Sequence, residues 1–196
     1  MPFDSAEDKF AQGRSFDSAQ DRRFDSAQGR PRTTMPVVVI LDNVRSLYNT
    51  GAFFRTADGC GVEQLTLCGL TPRPDQGSRQ RRAIAKTALG AELVVPWRHE
   101  PDTATAVQSL RRRGYHIVAV ETMPDAVDLY EWTPQWPLGL VFGHEKEGVT
   151  HDLGGDIETY VRIPMLGEKR SLNVATAAGI VLYELLRRRS YHSAVV

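Results

Sequence analysis

The sequence predicts an α/β fold built on a parallel sheet, and three observations predict it. Runs that are apolar at every position, Val37–Leu41 and Leu138–Phe142, have the character of strands buried between two helical layers. Stretches of helical periodicity separate such runs: from about Asn49 to Cys60, from about Asp102 to Arg113, and from Ser171 onward. The segment from Ile157 to Leu185 joins a β-branched run, a loop with Pro164 and Gly167, and a long apolar-periodic helix. That is the layout in which α/β proteins hold ligands, at a strand end facing a helix N-terminus. With 196 residues the chain has room for one such domain with a full core.

Three copies of a Phe-Asp-Ser-Ala unit begin at Phe3, Phe16 and Phe24. Each has a single apolar anchor, too little buried surface to offset chain entropy, so residues 1–34 are expected to be a disordered extension. Met35 stands just before the first strand and is an alternative start, which makes 35–196 the expected domain. A basic RNA-binding arm is disfavoured, because six Lys/Arg in the extension are matched by six Asp/Glu.

Pro36–Leu41 reads as the first strand, and Asp42–Tyr48 as the loop leaving it. Asn49 is expected at or near the N-cap of the first helix, with Phe53, Phe54 and Ala57 turned inward. Glu63–Cys68 is the second strand, followed by a Pro- and Gly-bearing loop from Gly69 to Gln80. The charges of the whole chain balance at 24 of each sign, yet between Arg73 and Lys86 the bases Arg73, Arg79, Arg81, Arg82 and Lys86 face Asp75 alone. This local excess is the candidate footprint for a phosphate backbone. Leu93–Val95 reads as a strand, Asp102–Arg113 as a helix closed by Gly114, and His116–Glu121 as a strand. Pro124–Pro137, with Trp132 and Trp136, reads as an irregular connection, either a lid or a packed loop, into the strand Leu138–Phe142. Ser171 is the expected N-cap of the last helix, with Asn173 in its first turn.

Several functions are excluded. Cys60 and Cys68 lack partners at metal-ligand spacing, and His99, His116, His144 and His151 are scattered, so neither a disulfide framework nor a metal site is expected. The longest apolar runs are strand-sized and the N-terminus lacks a signal-peptide core, which points to a reduced cytoplasmic protein with no membrane span. No Gly-x-Gly-x-x-Gly follows the first strand, so the usual dinucleotide fingerprint is absent.

Three motifs remain. The first is Asn49-x-Gly51-x-x-x-Arg55-x-Ala57; the side chain of Arg55 leans back toward Gly51, where a missing Cβ is read as leaving room for a phosphate or ribose. The bland alternative is an Arg55–Asp58 surface pair. The second is Gly143-x-Glu145-x-x-Gly148 at a strand end, two glycines letting backbone wrap a ligand around one acid. The third runs Ile163-Pro164-Met165-x-Gly167-x-x-x-Ser171-Leu172-Asn173-Val174-Ala175-x-Ala177-Ala178.

Together and in this order they resemble the motifs of the SpoU-type RNA 2′-O-ribose methyltransferases of the SPOUT superfamily, over roughly residues 36–190. His144 and Arg170 depart from the family pattern without removing a key group. The resemblance implies a Rossmann-like parallel sheet with a C-terminal deep trefoil knot. It implies S-adenosyl-L-methionine as cofactor, near Thr122, Gly143, Ile163, Ser171 and Leu172. It implies transfer of a methyl group to a ribose 2′-hydroxyl of tRNA or rRNA, with Arg55 as the central catalytic residue and Asn49, Glu145, Ser171 and Asn173 orienting it and the ribose. It also implies a homodimer through the first and last helices, for which Ile180, Tyr183 and Leu186 stand off the core face. One rival is the same fold acting on a base or a protein, which the Asn49/Arg55 motif opposes. The other is a non-catalytic RNA-binding homologue, whose signature, loss of Arg55, Glu145 or Asn173, is not seen.

Overall fold

The computed structural model describes residues 34–144, 147–150, 153 and 155–193; the N-terminal repeat lies outside the described residues. The strands are β1 (Met35–Asp42), β2 (Val62–Cys68), β3 (Trp97–Glu100), β4 (His116–Val120), β5 (Val127–Asp128), β6 (Leu138–Phe142) and β7 (Thr159–Arg162). The helices are α1 (Leu47–Cys60), α2 (Ser78–Ala88), α3 (Thr103–Arg112) and α4 (Val174–Ser193). Every strand pairing is parallel, in the order β3-β2-β1-β6-β4-β7-β5.

The unbroken apolar character of β1 follows from this order. Val37, Val39 and Leu41 enter an apolar cluster with residues of α1, α2 and α4, while Val38 and Ile40 enter a second cluster with residues of α3. A strand covered on both faces has no polar face to alternate with. On the first face Phe53 of α1 meets Phe142 of β6 edge-on at 5.3 Å, so the helix is keyed to the strand that leads into the second motif.

Local chemistry moves several boundaries. Ser46, not Asn49, caps α1: its Oγ accepts from the backbone N–H of Asn49 at 3.2 Å, and the helix starts at Leu47. The last helix is capped by Asn173, not Ser171, since Asn173 Oδ1 accepts from the N–H groups of Ala175 (2.9 Å) and Thr176 (3.3 Å). The expected strand at Leu93–Val95 is instead the end of a short 3-10 helix, Ala91–Leu93, and the strand comes later, at Trp97–Glu100. Helix α2 occupies a stretch read only for its charge. It buries Ile84 and Ala88 alone and has no side-chain cap, so it carries few apolar residues to mark it as a core-facing helix. The irregular connection Pro124–Pro137 contains β5, a two-residue edge strand on β7.

Gly51 has a role different from the expected one. A Cβ there would lie 2.1 Å from Thr87 Oγ1 and 2.3 Å from the Ile84 carbonyl oxygen, so the space above it is filled by α2 and not left for a ligand. Thr87 Oγ1 also donates to the Tyr48 carbonyl at 2.9 Å, fixing the two helices at their crossing. Because the clash is with backbone, Gly51→Ala is expected to cost about 1–3 kcal/mol of stability. A thermal melt of that variant should show a drop of several degrees; an unchanged midpoint would mean the crossing is looser than the geometry states.

The C-terminal part of α4 is tied down by charge. Glu184 accepts from Arg187 and Arg188, whose hydrogen bonds hold its carboxyl at about 2, well below the usual carboxylate range. Arg188 also donates to the carbonyls of Leu129 (2.8 Å), Tyr130 (3.0 Å) and Trp132, clamping the segment after β5 onto the helix. Ile180 and Leu186 are partly buried against the core, so of the three residues expected to stand free on α4 only Tyr183, 54% exposed, does so.

Candidate functional site

The carboxyl ends of three adjacent strands, β6, β4 and β7, open onto one cavity of about 320 Å³. Its walls are Val120, Glu121 and Thr122 at the end of β4; Phe142, Gly143, His144 and Gly148 at and after the end of β6; Arg162, Ile163 and Met165 at the end of β7; and Ser171–Val174 with Ala177 leading into α4. This is where an open parallel sheet places ligands, since strand ends and a helix N-terminus leave backbone groups without sheet or helix partners. All five residues expected to hold the cofactor, Thr122, Gly143, Ile163, Ser171 and Leu172, line it. Thr122 Oγ1 donates to the Arg170 carbonyl at 3.3 Å, joining the β4 end to the loop that leads into α4.

The second motif folds back on itself at this cavity. His144 and Gly148 exchange two backbone hydrogen bonds of 2.9 Å. A Cβ on Gly143 would lie 2.2–2.3 Å from the backbone of Gly148 and Val149, so this glycine admits the chain's own loop rather than a ligand alone. Gly148 takes φ +72°, and a Cβ there would meet Glu121 Oε2 at 2.5 Å. Glu145, the acid of this motif, lies outside the described residues.

Of the expected catalytic residues, Asn49, Ser171 and Asn173 come together. Asn173 Nδ2 donates to Asn49 Oδ1 at 3.2 Å, binding α1 to α4 at the cavity mouth. With its Oδ1 committed to the helix N-terminus and its amide to Asn49, Asn173 orients its neighbour more than it offers a free group to a ligand. Arg55 is set apart. It is exposed, makes no ion pair among the described residues, and does not line the cavity. At about 100° per residue the six-residue step from Asn49 turns it roughly 240° around α1.

The five bases of the candidate RNA footprint divide by geometry. Arg79, Arg82 and Lys86 are exposed, and their spacing of three and four residues sets them along one face of α2. Arg81 is half-buried on another face, and Arg73 lies in the preceding loop with its Nε 3.2 Å from Asp75. Packing at Gly51 and Thr87 holds this basic helix against α1, the helix that carries Arg55.

Met165 of the third motif lines the cavity too, and so do Glu121 and Arg162, to which the motifs assign no role. Glu121 had a signal: it is the carboxylate directly after an apolar run, at the end where parallel strands present ligand groups. The two thiols play no part, since burial pushes Cys60 up to about 11 and Cys68 up to about 12, where neither ionises at neutral pH. Among the described residues no cluster of His, Cys, Asp or Glu could hold a metal ion, and no helix is long and apolar enough to cross a membrane.

A family model described as the SpoU rRNA Methylase family matches residues 36–183. Among curated proteins, a putative TrmH family tRNA/rRNA methyltransferase of Staphylococcus saprophyticus is 31% identical over 157 residues, covering 80% of this chain and 61% of the relative. A 23S rRNA (guanosine-2′-O-)-methyltransferase, RlmB, of Ralstonia nicotianae is 33% identical over 155 residues, covering 79% of this chain and 60% of the relative. The chain thus spans about 60% of the length of these relatives. Among solved structures, a TrmH/SpoU tRNA modifying enzyme of A. aeolicus superposes with a TM-score of 0.73 at 27% identity, covering 83% of this chain and 79% of that one. An AdoMet-bound rRNA methyltransferase from Sinorhizobium meliloti gives 0.71 at 27% identity, covering 84% and 61%.

Proposed function

Because the chain belongs to the SpoU rRNA methylase family, we propose that it transfers a methyl group from S-adenosyl-L-methionine to a ribose 2′-hydroxyl of tRNA or rRNA. The observation that carries this reading is the meeting of Thr122, Gly143, Ile163, Ser171 and Leu172 around one cavity, with the Asn49–Asn173 pair at its mouth. The names of the relatives, RlmB and TrmH among them, support ribose as the acceptor and RNA as the substrate.

The cavity fits such a cofactor. Its volume lies within the range of about 300–1,000 Å³ usual for small-molecule sites. Phe142, Ile163, Met165, Leu172 and Val174 offer an apolar wall for a flat ring, while Thr122, His144, Arg162 and Ser171 supply polar groups for its charged and hydroxylated ends. When bound, S-adenosylmethionine supplies a methyl group on a positively charged sulfur. Asn173 fixes Asn49, and the two orient the ribose at the mouth of the cavity. Arg55, a guanidinium with donors and no acceptor, binds RNA phosphate from outside the cavity wall and stabilises negative charge that develops on the 2′-oxygen of the presented ribose, and does not act as a base. The exposed face of α2, with Arg79, Arg82 and Lys86, carries the RNA backbone, and Arg73 and Arg81 extend the positive field. Glu145 belongs to the same catalytic set.

The functional unit we propose is residues 35–196, acting in the cytoplasm and carrying the family's C-terminal trefoil knot. The position of β7 between β4 and β5 supports the knot, since the chain returns after β6 to enter between strands already laid down. A second copy is the proposed partner, with α1 and α4 as the interface: Tyr183 is exposed there, and its hydroxyl lies 2.9 Å from where a Cβ on Gly59 would be. Sedimentation at micromolar concentration should give a dimer, and a monomer would remove the second copy from the proposal. Incubation of the full chain with methyl-labelled S-adenosylmethionine and bulk RNA is expected to label RNA in the large ribosomal or transfer fraction. Failure to label any RNA, with cofactor bound, would favour the non-catalytic reading.

A further inference from the structure

In the sheet, β6 lies between β1 and β4, and a carboxylate at the end of β1 and another just past the end of β4 bond to the segment that follows β6. Asp42, the last residue of β1, is 1% exposed. Its Oδ2 accepts from the backbone N–H and the hydroxyl of Thr150, both at 2.7 Å, and its Oδ1 accepts from the Thr103 hydroxyl (2.6 Å) and from Asn43 Nδ2 (2.9 Å). Glu121, the first residue past β4, accepts from the N–H of Val149 at 3.2 Å through Oε2 and from the N–H of Thr122 at 2.9 Å through Oε1. Two successive amides of the loop, those of Val149 and Thr150, are therefore held by carboxylates on opposite sides.

Only a carboxylate satisfies the Asp42 site. Thr150 presents a backbone N–H that has no acceptor form, so an amide nitrogen cannot face it. On the other oxygen, Asn43 is held with its amide nitrogen inward, because its own Oδ1 accepts from the N–H of Leu70 at 3.0 Å. An asparagine at position 42 would set donor against donor whichever way it turned. The loop so fixed is the one that supplies Gly143, His144 and Gly148 to the cavity wall.

We propose that Asp42 and Glu121 are a two-sided clamp: positioning residues that hold Gly148–Thr150 against the cavity wall and thereby set its affinity for the cofactor. The link to affinity rests on the cavity being the S-adenosylmethionine site; the clamp itself does not. The test uses the full chain and two readouts. In Asp42→Asn, amide hydrogen exchange at Val149 and Thr150 should accelerate about tenfold or more, charge-assisted bonds being the stronger kind, while exchange in β6 and α4 stays as in the wild type. Calorimetry with S-adenosylmethionine should show a dissociation constant about tenfold higher. Thr150→Val, which removes the hydroxyl bond and keeps the N–H bond, should move both readouts in the same direction by less, and it carries the test if Asp42→Asn does not fold. Unchanged protection at Val149 and Thr150 overturns the clamp, whatever the ligand. Faster exchange with unchanged affinity overturns its role in binding. A wild type that binds no S-adenosylmethionine would refute the cofactor reading, and the exchange data would still decide the clamp.

Discussion

Replacing Arg55 with alanine is expected to reduce methyl transfer to RNA at least about a hundredfold, the loss typical when a group that stabilises developing charge is removed. Affinity for S-adenosylmethionine should stay unchanged, because Arg55 faces solvent and is no part of the cavity wall. The fold should be unaffected as well: the side chain is exposed and makes no ion pair among the described residues. Arg55→Lys is expected to restore little, since a compact ammonium lacks the planar fork that meets a phosphate with two parallel hydrogen bonds. Single-turnover transfer and calorimetry on the same preparations separate the two quantities. Substantial transfer by Arg55→Ala would refute the role given to this residue.

Gly143→Val is expected to have the opposite profile, with cofactor binding itself lost. The nearest atoms to a new Cβ are backbone atoms of Gly148 and Val149 at 2.2–2.3 Å, so no side chain can swing aside and the loop must move out of the cavity wall. We expect the affinity for S-adenosylmethionine to fall at least tenfold and stability to fall by about 1–3 kcal/mol, as for other overpacked sites. Gly179→Ala is the control. No atom outside α4 lies within 4 Å of a Cβ there, and alanine in a helix is favoured over glycine by roughly 0.5–1 kcal/mol. Equal effects of the two substitutions, measured by calorimetry and thermal melts, would show that close packing at Gly143 is not what shapes the site.

Much of the sheet was legible because burial on both faces leaves a direct mark: Val37–Leu41 and Leu138–Phe142 are apolar at every position, or glycine, and both are central strands. The mark fades away from the centre. β3 is Trp-Arg-His-Glu, an edge strand with every residue half-buried, and α2 buries two side chains, so neither carries an apolar run. Helix starts were misplaced where two capping residues compete within a few positions, Ser46 with Asn49 and Asn173 with Ser171. Either can accept from an N–H group, and the path of the incoming loop decides between them. Glycines gave a subtler error. At Gly51 and Gly143 the missing Cβ was read as serving a ligand, but at Gly51 the space is filled by α2 and at Gly143 the protein's own loop approaches. A missing Cβ records the approach without recording what approaches. The cavity residues of the third motif were legible because a strand, a loop and a helix N-terminus follow one another in sequence. Asp42 and Glu121 act across strands adjacent only in space, a relation that no local spacing reveals.

The most direct test of ribose methylation is where the methyl group lands. RNA labelled by the full chain from S-adenosylmethionine should be hydrolysed in alkali, which cleaves by attack of each free 2′-oxygen on its neighbouring phosphate. A methylated 2′-oxygen cannot attack, so the label is predicted to appear in alkali-stable dinucleotides and, after complete enzymatic digestion, in 2′-O-methylnucleosides. Label recovered in alkali-released mononucleotides, with the methyl on a base, would contradict the proposed function.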